Sequence, residues 1–266
     1  MVLSTREYLS EVITLEIKNL SFSFKDRKIL HNISFETSPG KIYGLFGPNG
    51  SGKTTLFNLI SGLYRPNAGI IRYYGICPKR MEPLGIARLG NGLARTFQDP
   101  VVINDLSVEE NVLLAYRLPQ EGFISLLYRG ARSFNQERIA LTEVQCWLAH
   151  FKLTAKKNMP AGELSYGERR LVANITAILM GSGILLLDEP FANLNVLMIQ
   201  KLKGWLRKIA LEEKRTILII EHSPDNLYDF VDVLLRIKGY EIDSIQNTGD
   251  IDFVKKLISR STLLYG

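Results

Sequence analysis

The chain has 266 residues, enough to bury a sizeable core in one compound domain. Its 46% hydrophobic and 23% charged content is that of an ordinary globular protein and excludes a disordered or fibrous chain. The net charge of +6 suits anionic ligands, but Lys and Arg are scattered along the chain, so no nucleic-acid partner is expected.

No apolar run approaches the roughly 18–20 residues that span a bilayer. The first residues carry Arg6, Glu7, Glu11 and Glu16 and lack the apolar middle of a secretory signal. A cytoplasmic protein is therefore expected, reaching a membrane only through a partner. Cys77 and Cys146 have no paired spacing that would suggest zinc and are expected to be reduced, partly buried thiols.

In chain order, β-rich apolar segments come first: Thr14–Ile17, Ser21–Phe24, Asn32–Thr37 and Lys41–Phe46. The last runs into a glycine-rich turn and a predicted helix over Thr54–Leu63. A more polar region follows, with turn signals at Pro66, Asn67-Ala68-Gly69, Pro78 and Pro83. Periodicity is mostly helical from about Ser107 to Met180. Two further strand-like runs, Ile184–Leu187 and Thr216–Ile220, flank a helix predicted over Val196–Lys214. Alternating strands and helices with such apolar strands argue for an α/β fold around a parallel sheet, with the middle helical stretch inserted as a subdomain.

Three motifs carry chemistry. Gly47, Pro48, Asn49, Gly50, Ser51, Gly52, Lys53 and Thr54, followed by Thr55, satisfy the phosphate-loop pattern between a strand and a helix. Glycines let the backbone curl so that successive N–H groups and the helix N-terminus face phosphate. Lys53 would reach the β and γ phosphates of a nucleoside triphosphate, and Thr54 would offer its hydroxyl to Mg²⁺. The second motif is the apolar run ending Asp188-Glu189-Pro190. It delivers Asp188 to the carboxyl edge of the sheet as a Mg²⁺ ligand, and Glu189 to the water that attacks the γ-phosphate. The third is Leu164-Ser165-Tyr166-Gly167-Glu168. Ser165 and Glu168 form a capping box, and a capped helix start with free N–H groups is also an anion site.

Together and in this order, these motifs resemble the ATP-binding-cassette (ABC) ATPases over about Leu15 to Gly239. The resemblance implies a P-loop NTPase with a RecA-like parallel-sheet core, an N-terminal antiparallel β subdomain and an inserted helical subdomain. It places the cassette at 14–240, the helical subdomain at about 98–180 and a C-terminal extension at 241–266. Residue by residue, it assigns Phe24 to adenine, Gln98 to the glutamine loop that senses Mg²⁺ and the membrane partner, and His222 to the γ-phosphate. Ser165, Gly167 and Glu168 are assigned to the ATP held by an opposite subunit. The implied partners are transmembrane permease subunits and a second ABC ATPase subunit, identical or not, on the cytoplasmic face of the membrane.

Gly92-Leu-Ala-Arg-Thr-Phe-Gln-Asp-Pro and Leu106-Ser-Val-Glu-Glu-Asn-Val-Leu-Leu-Ala are similar to the ATPases of branched-chain amino acid and urea importers. Tyr166 in the signature, Asn193-Leu-Asn195 after Pro190 and the long stretch between Gln98 and Ser165 point the same way. Thr176 and Ser223 depart from the usual Arg and Asp, and Asn195 from an Asp that would carry communication between sites. Phe123–Tyr128, among Arg117, Arg129 and Arg132, reads either as a face for the membrane partner or as an amphipathic stretch packed on its own subdomain. A soluble single-cassette ATPase outside transport also fits the motifs. A scaffold that binds ATP without turnover fits less well, because Glu189 and His222 are both retained.

Overall fold

The computed structural model describes residues 13–117, 132–222 and 226–246. The stretch Phe123–Tyr128, Ser223 and residues 247–266 lie outside them, as do the side chains of Arg117 and Arg132.

Among the described residues, nine strands form two sheets. The small one has the order β2-β1-β4, from β1 (Leu15–Phe24), β2 (Arg27–Thr37) and β4 (Ala68–Tyr73), all antiparallel. The large one has the order β5-β6-β7-β3-β8-β9. Its members are β3 (Ile42–Phe46), β5 (Leu93–Arg95), β6 (Ile184–Asp188), β7 (Thr216–Ile220), β8 (Val233–Lys238) and β9 (Glu241–Gln246). The first five are parallel and β9 is an antiparallel edge. Among the described residues there are six α-helices: α1 (Lys53–Ile60), α2 (Pro83–Ala87), α3 (Val108–Arg117), α4 (Arg132–His150), α5 (Tyr166–Leu179) and α6 (Val196–Glu213).

Strands β3, β6 and β7 are buried at every position, as expected of a parallel sheet covered on both faces. Alternate residues serve two cores. Leu185, Leu187, Ile217 and Ile219 pack with α5 and α6 and with the end of α4. Ile184, Leu186, Leu218 and Ile220 pack with the small sheet and with Leu56, Phe57, Leu59 and Ile60 of α1. Helix α1 thus shares one core with both sheets, and its N-terminus lies at the carboxyl end of the central strand β3.

Several expectations are corrected. The segments Thr14–Ile17 and Ser21–Phe24 form one strand, its register broken around Asn19, which sits at φ 51. Strand β2 starts at Arg27, ahead of Asn32. The turn signal at Asn67-Ala68-Gly69 opens β4 instead, because pairing with β1 overrides local propensity. Gly69, at φ 90, allows the close approach: a Cβ there would lie 2.5 Å from the Asn19 carbonyl oxygen. Helix begins at Val108, within one residue of the expected start at about Ser107, and 97–107 ahead of it is irregular. Residues 241–246, expected to open a C-terminal extension, form β9 and pair antiparallel with β8 in the large sheet. Both cysteines are exposed rather than partly buried. Among the described residues, no helix is long and apolar enough to cross a membrane.

Candidate functional site

The phosphate loop leaves β3 at Gly47, turns through Gly50 (φ 77) and Gly52 (φ 98), and enters α1 at Lys53. Gly47 can carry no side chain, because a Cβ would stand 2.8 Å from the Ile237 carbonyl oxygen. Lys53 Nζ donates to the carbonyls of Gly47 at 2.8 Å and Pro48 at 3.0 Å, which folds the loop around its own ammonium. Burial pulls the Lys53 pKa down, while Glu189 and Asp188 act to raise it. Ser51 Oγ is buried without a hydrogen-bond partner, leaving an inward-facing hydroxyl in the loop.

Asp188 ends β6 with no exposed surface. Neither carboxylate oxygen has a hydrogen-bond partner, and Arg95 Nη2 lies 3.7 Å from Oδ2. Burial pushes Asp188 up to about 6. A buried carboxylate with free lone pairs suits a hard divalent cation or the waters around it. Among the described residues no cluster of three His, Cys, Asp or Glu side chains could hold a metal.

One residue on, Glu189 adopts φ 51, a costly conformation for a residue with a Cβ. Its N–H donates to the Ile220 carbonyl at 3.0 Å, so β7 holds the strained turn. The turn brings Glu189 Oε1 to 2.6 Å from His222 Nε2 and to 3.2 Å from Gln98 Nε2, which donates to it. Three segments far apart in the chain therefore meet at one carboxylate. They share a cleft of about 520 Å³ with Asn49–Thr55, the half-exposed Phe24 and Arg27. Phe24 meets Phe22 and Tyr64 in edge-on contacts and keeps close to half of its surface in solvent.

Ser165, Gly167 and Glu168 do not line this cleft. Ser165 caps α5 and its hydroxyl accepts from the Glu168 N–H, while Glu168 Oε2 accepts from the Ser165 N–H at 3.1 Å. The Glu168 carboxylate also pairs with Lys156 at 2.7 Å, so it is committed within its own chain. Gly167 is compelled by packing: a Cβ would stand 2.3 Å from the Asn193 carbonyl oxygen. Asn195 caps α6, accepting from the Met198 N–H at 2.9 Å.

Sequence reasoning missed Arg95, Arg170 and Glu221. Arg95 is the one charge in the short strand β5, and its guanidinium bonds Ser61 Oγ at 2.7 Å beside Asp188. Arg170 is buried under the ends of β5 and β6. Glu221, next to His222, accepts from the Phe191 N–H at 3.2 Å, and burial pushes its carboxyl up to about 7. A charge at the carboxyl end of an apolar strand run was the available signal for Arg95 and Glu221.

Residues 30–192 match the ABC transporter family. The high-affinity branched-chain amino acid transport ATP-binding protein BraF of Pseudomonas aeruginosa is 32% identical over 210 residues, covering 79% of this chain and 82% of the relative. LivG of Escherichia coli K12, of the same description, matches to the same extent, with 32% identity over 210 residues. The phosphonates import ATP-binding protein PhnC of Fusobacterium nucleatum is 27% identical, covering 93% of this chain and 98% of the relative. Among solved structures, a nucleotide-free ATP-binding cassette from an ABC transporter superposes with a TM-score of 0.74 at 26% identity, covering 92% of this chain and 95% of the other. The motifs, the sheet order and these likenesses agree: the chain belongs to the ABC transporter family, as an ATP-binding subunit that hydrolyses ATP.

Proposed function

We propose that two such cassettes close head to tail on two ATP molecules and so drive a membrane permease of the branched-chain amino acid import type. The observation that carries the catalytic part is the meeting of Glu189, His222 and Gln98 above the phosphate loop. Phe24 stacks on the adenine, and the N–H groups of residues 49–55 with Lys53 hold the phosphates. Thr54, Gln98 and Asp188 would hold Mg²⁺, which would neutralise negative charge on the phosphates. Glu189 orients the attacking water and draws on its proton. The new O–P bond forms as the bond from phosphorus to the β–γ bridging oxygen breaks and ADP leaves. His222, in reach of the same carboxylate, holds the γ-phosphate oxygens.

Ser165 and Gly167 sit on a helix tip away from their own cleft and complete the site of the partner cassette. ATP acts as glue because its γ-phosphate is held from both sides, and hydrolysis removes those contacts. Gln98 and the helices beyond it pass closure to permease subunits at the cytoplasmic face of the membrane. The amino-acid cargo is supported by the names of the two relatives at 32% identity, and the import direction by that of the phosphonate relative.

The test is purification of the intact complex from detergent-solubilised membranes, followed by reconstitution in vesicles. Permease subunits should copurify, and ATP-driven leucine uptake should depend on Glu189. Glu189→Gln should bind ATP normally and hydrolyse it at least ~100-fold more slowly. Near-normal turnover removes Glu189 from catalysis, and copurification with ribosomes instead rejects the transport reading.

A further inference from the structure

Arg170 lies in the first turns of α5 and is only 3% exposed. Its Nη1 donates to the carbonyls of Asp188 and Glu189, each at 3.0 Å. Its Nη2 donates to the carbonyl of Gln98 and, at 2.8 Å, to the Tyr166 hydroxyl. The Tyr166 hydroxyl in turn faces the Gln98 carbonyl and Asp99 Oδ1, each at 3.2 Å. The guanidinium also lies over the Tyr166 ring, 5.2 Å from its centroid. Three carbonyls, one from the loop at Gln98 and two from the junction of β6 with the loop that follows it, thus converge on one planar cation, an arrangement that an ammonium cannot reproduce.

Those two loops carry Gln98 and Glu189, whose side chains meet at the nucleotide cleft. The helix that Arg170 belongs to begins at Ser165, and its Gly167 packs on the Asn193 carbonyl of the loop after Glu189. A second cleft of about 550 Å³ lies over this junction, between Gln98, Tyr166, Glu189 and Asn193. The hydroxyl at the third signature position is therefore a tether to the glutamine loop of the same chain.

We propose that Arg170, aided by Tyr166, is a positioning residue that sets the helix tip at Ser165 from the positions of Gln98 and Glu189 in its own cleft. It thereby ties the state of one ATP to the tip offered to the other. The proposal rests on the two-chain reading above. Movement of either loop carries its carbonyl, and the fork passes that displacement to the first turn of α5.

The test uses mixed dimers of differently tagged chains. One chain carries Glu189→Gln, so its own cleft turns over nothing, and the other is unaltered. Turnover then reports the ATP held by the unaltered chain and completed by the helix tip of the Glu189→Gln chain. Arg170→Lys placed on the Glu189→Gln chain should lower kcat about tenfold, the effect of losing hydrogen bonds to a charged group. The KM for ATP should change by clearly less than kcat, because the phosphate loop that holds most of the nucleotide lies on the other, unaltered chain. Tyr166→Phe on the same chain removes one hydroxyl, keeps the ring, and should shift kcat in the same direction by less. It serves as the second variant should Arg170→Lys fail to fold. An unchanged kcat with a folded variant overturns the proposal and leaves the two-chain reading standing. A rise in KM matching the fall in kcat also overturns it, since that reports general loosening. Absence of any ATP-dependent dimer in the parent pair defeats the two-chain reading itself, and the relay with it.

Discussion

At the scale of single residues, burial rather than exposure sets the electrostatics of the site. Glu221 is the clearest case, because it is buried beside His222 and its carboxyl is pushed up to about 7 from an ordinary value near 4.5. A folded-state pKa above the unfolded one means that the folded protein holds the proton more tightly. Its contribution to stability is complete below about pH 4.5 and is lost as pH rises through about 7. Asp188, pushed up to about 6, acts in the same direction at lower pH. Glu221→Gln keeps an acceptor for the Phe191 N–H and removes the titration. It should stabilise the nucleotide-free protein above pH 7 by on the order of 1–3 kcal/mol and change little near pH 4.5. Denaturant melts across that range check this, and an unchanged pH profile refutes it.

The legible residues are those whose partners are close in sequence. The phosphate loop declares itself in eight consecutive positions, and Asp188 and Glu189 follow directly from an apolar strand. Arg170 and Arg95 were not legible in this way. Arg170 bonds carbonyls 18, 19 and 72 positions away, and Arg95 bonds a serine 34 positions away. Backbone carbonyls leave no mark in a sequence, so only the fold reveals such a hub.

At the scale of elements, the link from Gln98 to α3 shows how an irregular stretch is made rigid. Asn111, 4% exposed, accepts from the Ile103 N–H at 2.7 Å and donates to the carbonyls of Ile103, Leu106 and Ser107 at 3.0–3.1 Å. Ser107 and Glu110 close a capping box at the start of the same helix. The residues 106–111, noted in the sequence for their similarity to importer ATPases, thus form one local lock. Asn111→Ala leaves several buried groups unpaired and should cost about 2–4 kcal/mol, read as a lowered denaturation midpoint. A loss below about 0.5 kcal/mol, typical of a surface change, would contradict it. Strands β3, β6 and β7 and helix α6 were legible from their apolar runs. Strands β4, β5, β8 and β9 were not: β4 begins at a turn signal, β5 has three residues, and β9 forms only by pairing with β8.

At the scale of the whole molecule, the separation of the two nucleotide-binding elements matters most. Lys53 and Glu189 line one cleft, and the capped tip at Ser165 lies off it, fixed to the loop after Glu189 by the packing of Gly167. Single-chain closure would have to break that packing, whereas a second chain can supply the tip intact. The most direct measurement is site-directed crosslinking in the Glu189→Gln background, with the exposed Cys77 and Cys146 replaced by Ser. Chains carrying Asn49→Cys are mixed with chains carrying Ser165→Cys, and a short thiol-reactive crosslinker is added. The account predicts a crosslink between the two chains in saturating MgATP and its loss in ADP. Chains that stay monomeric and unlinked in MgATP would contradict it.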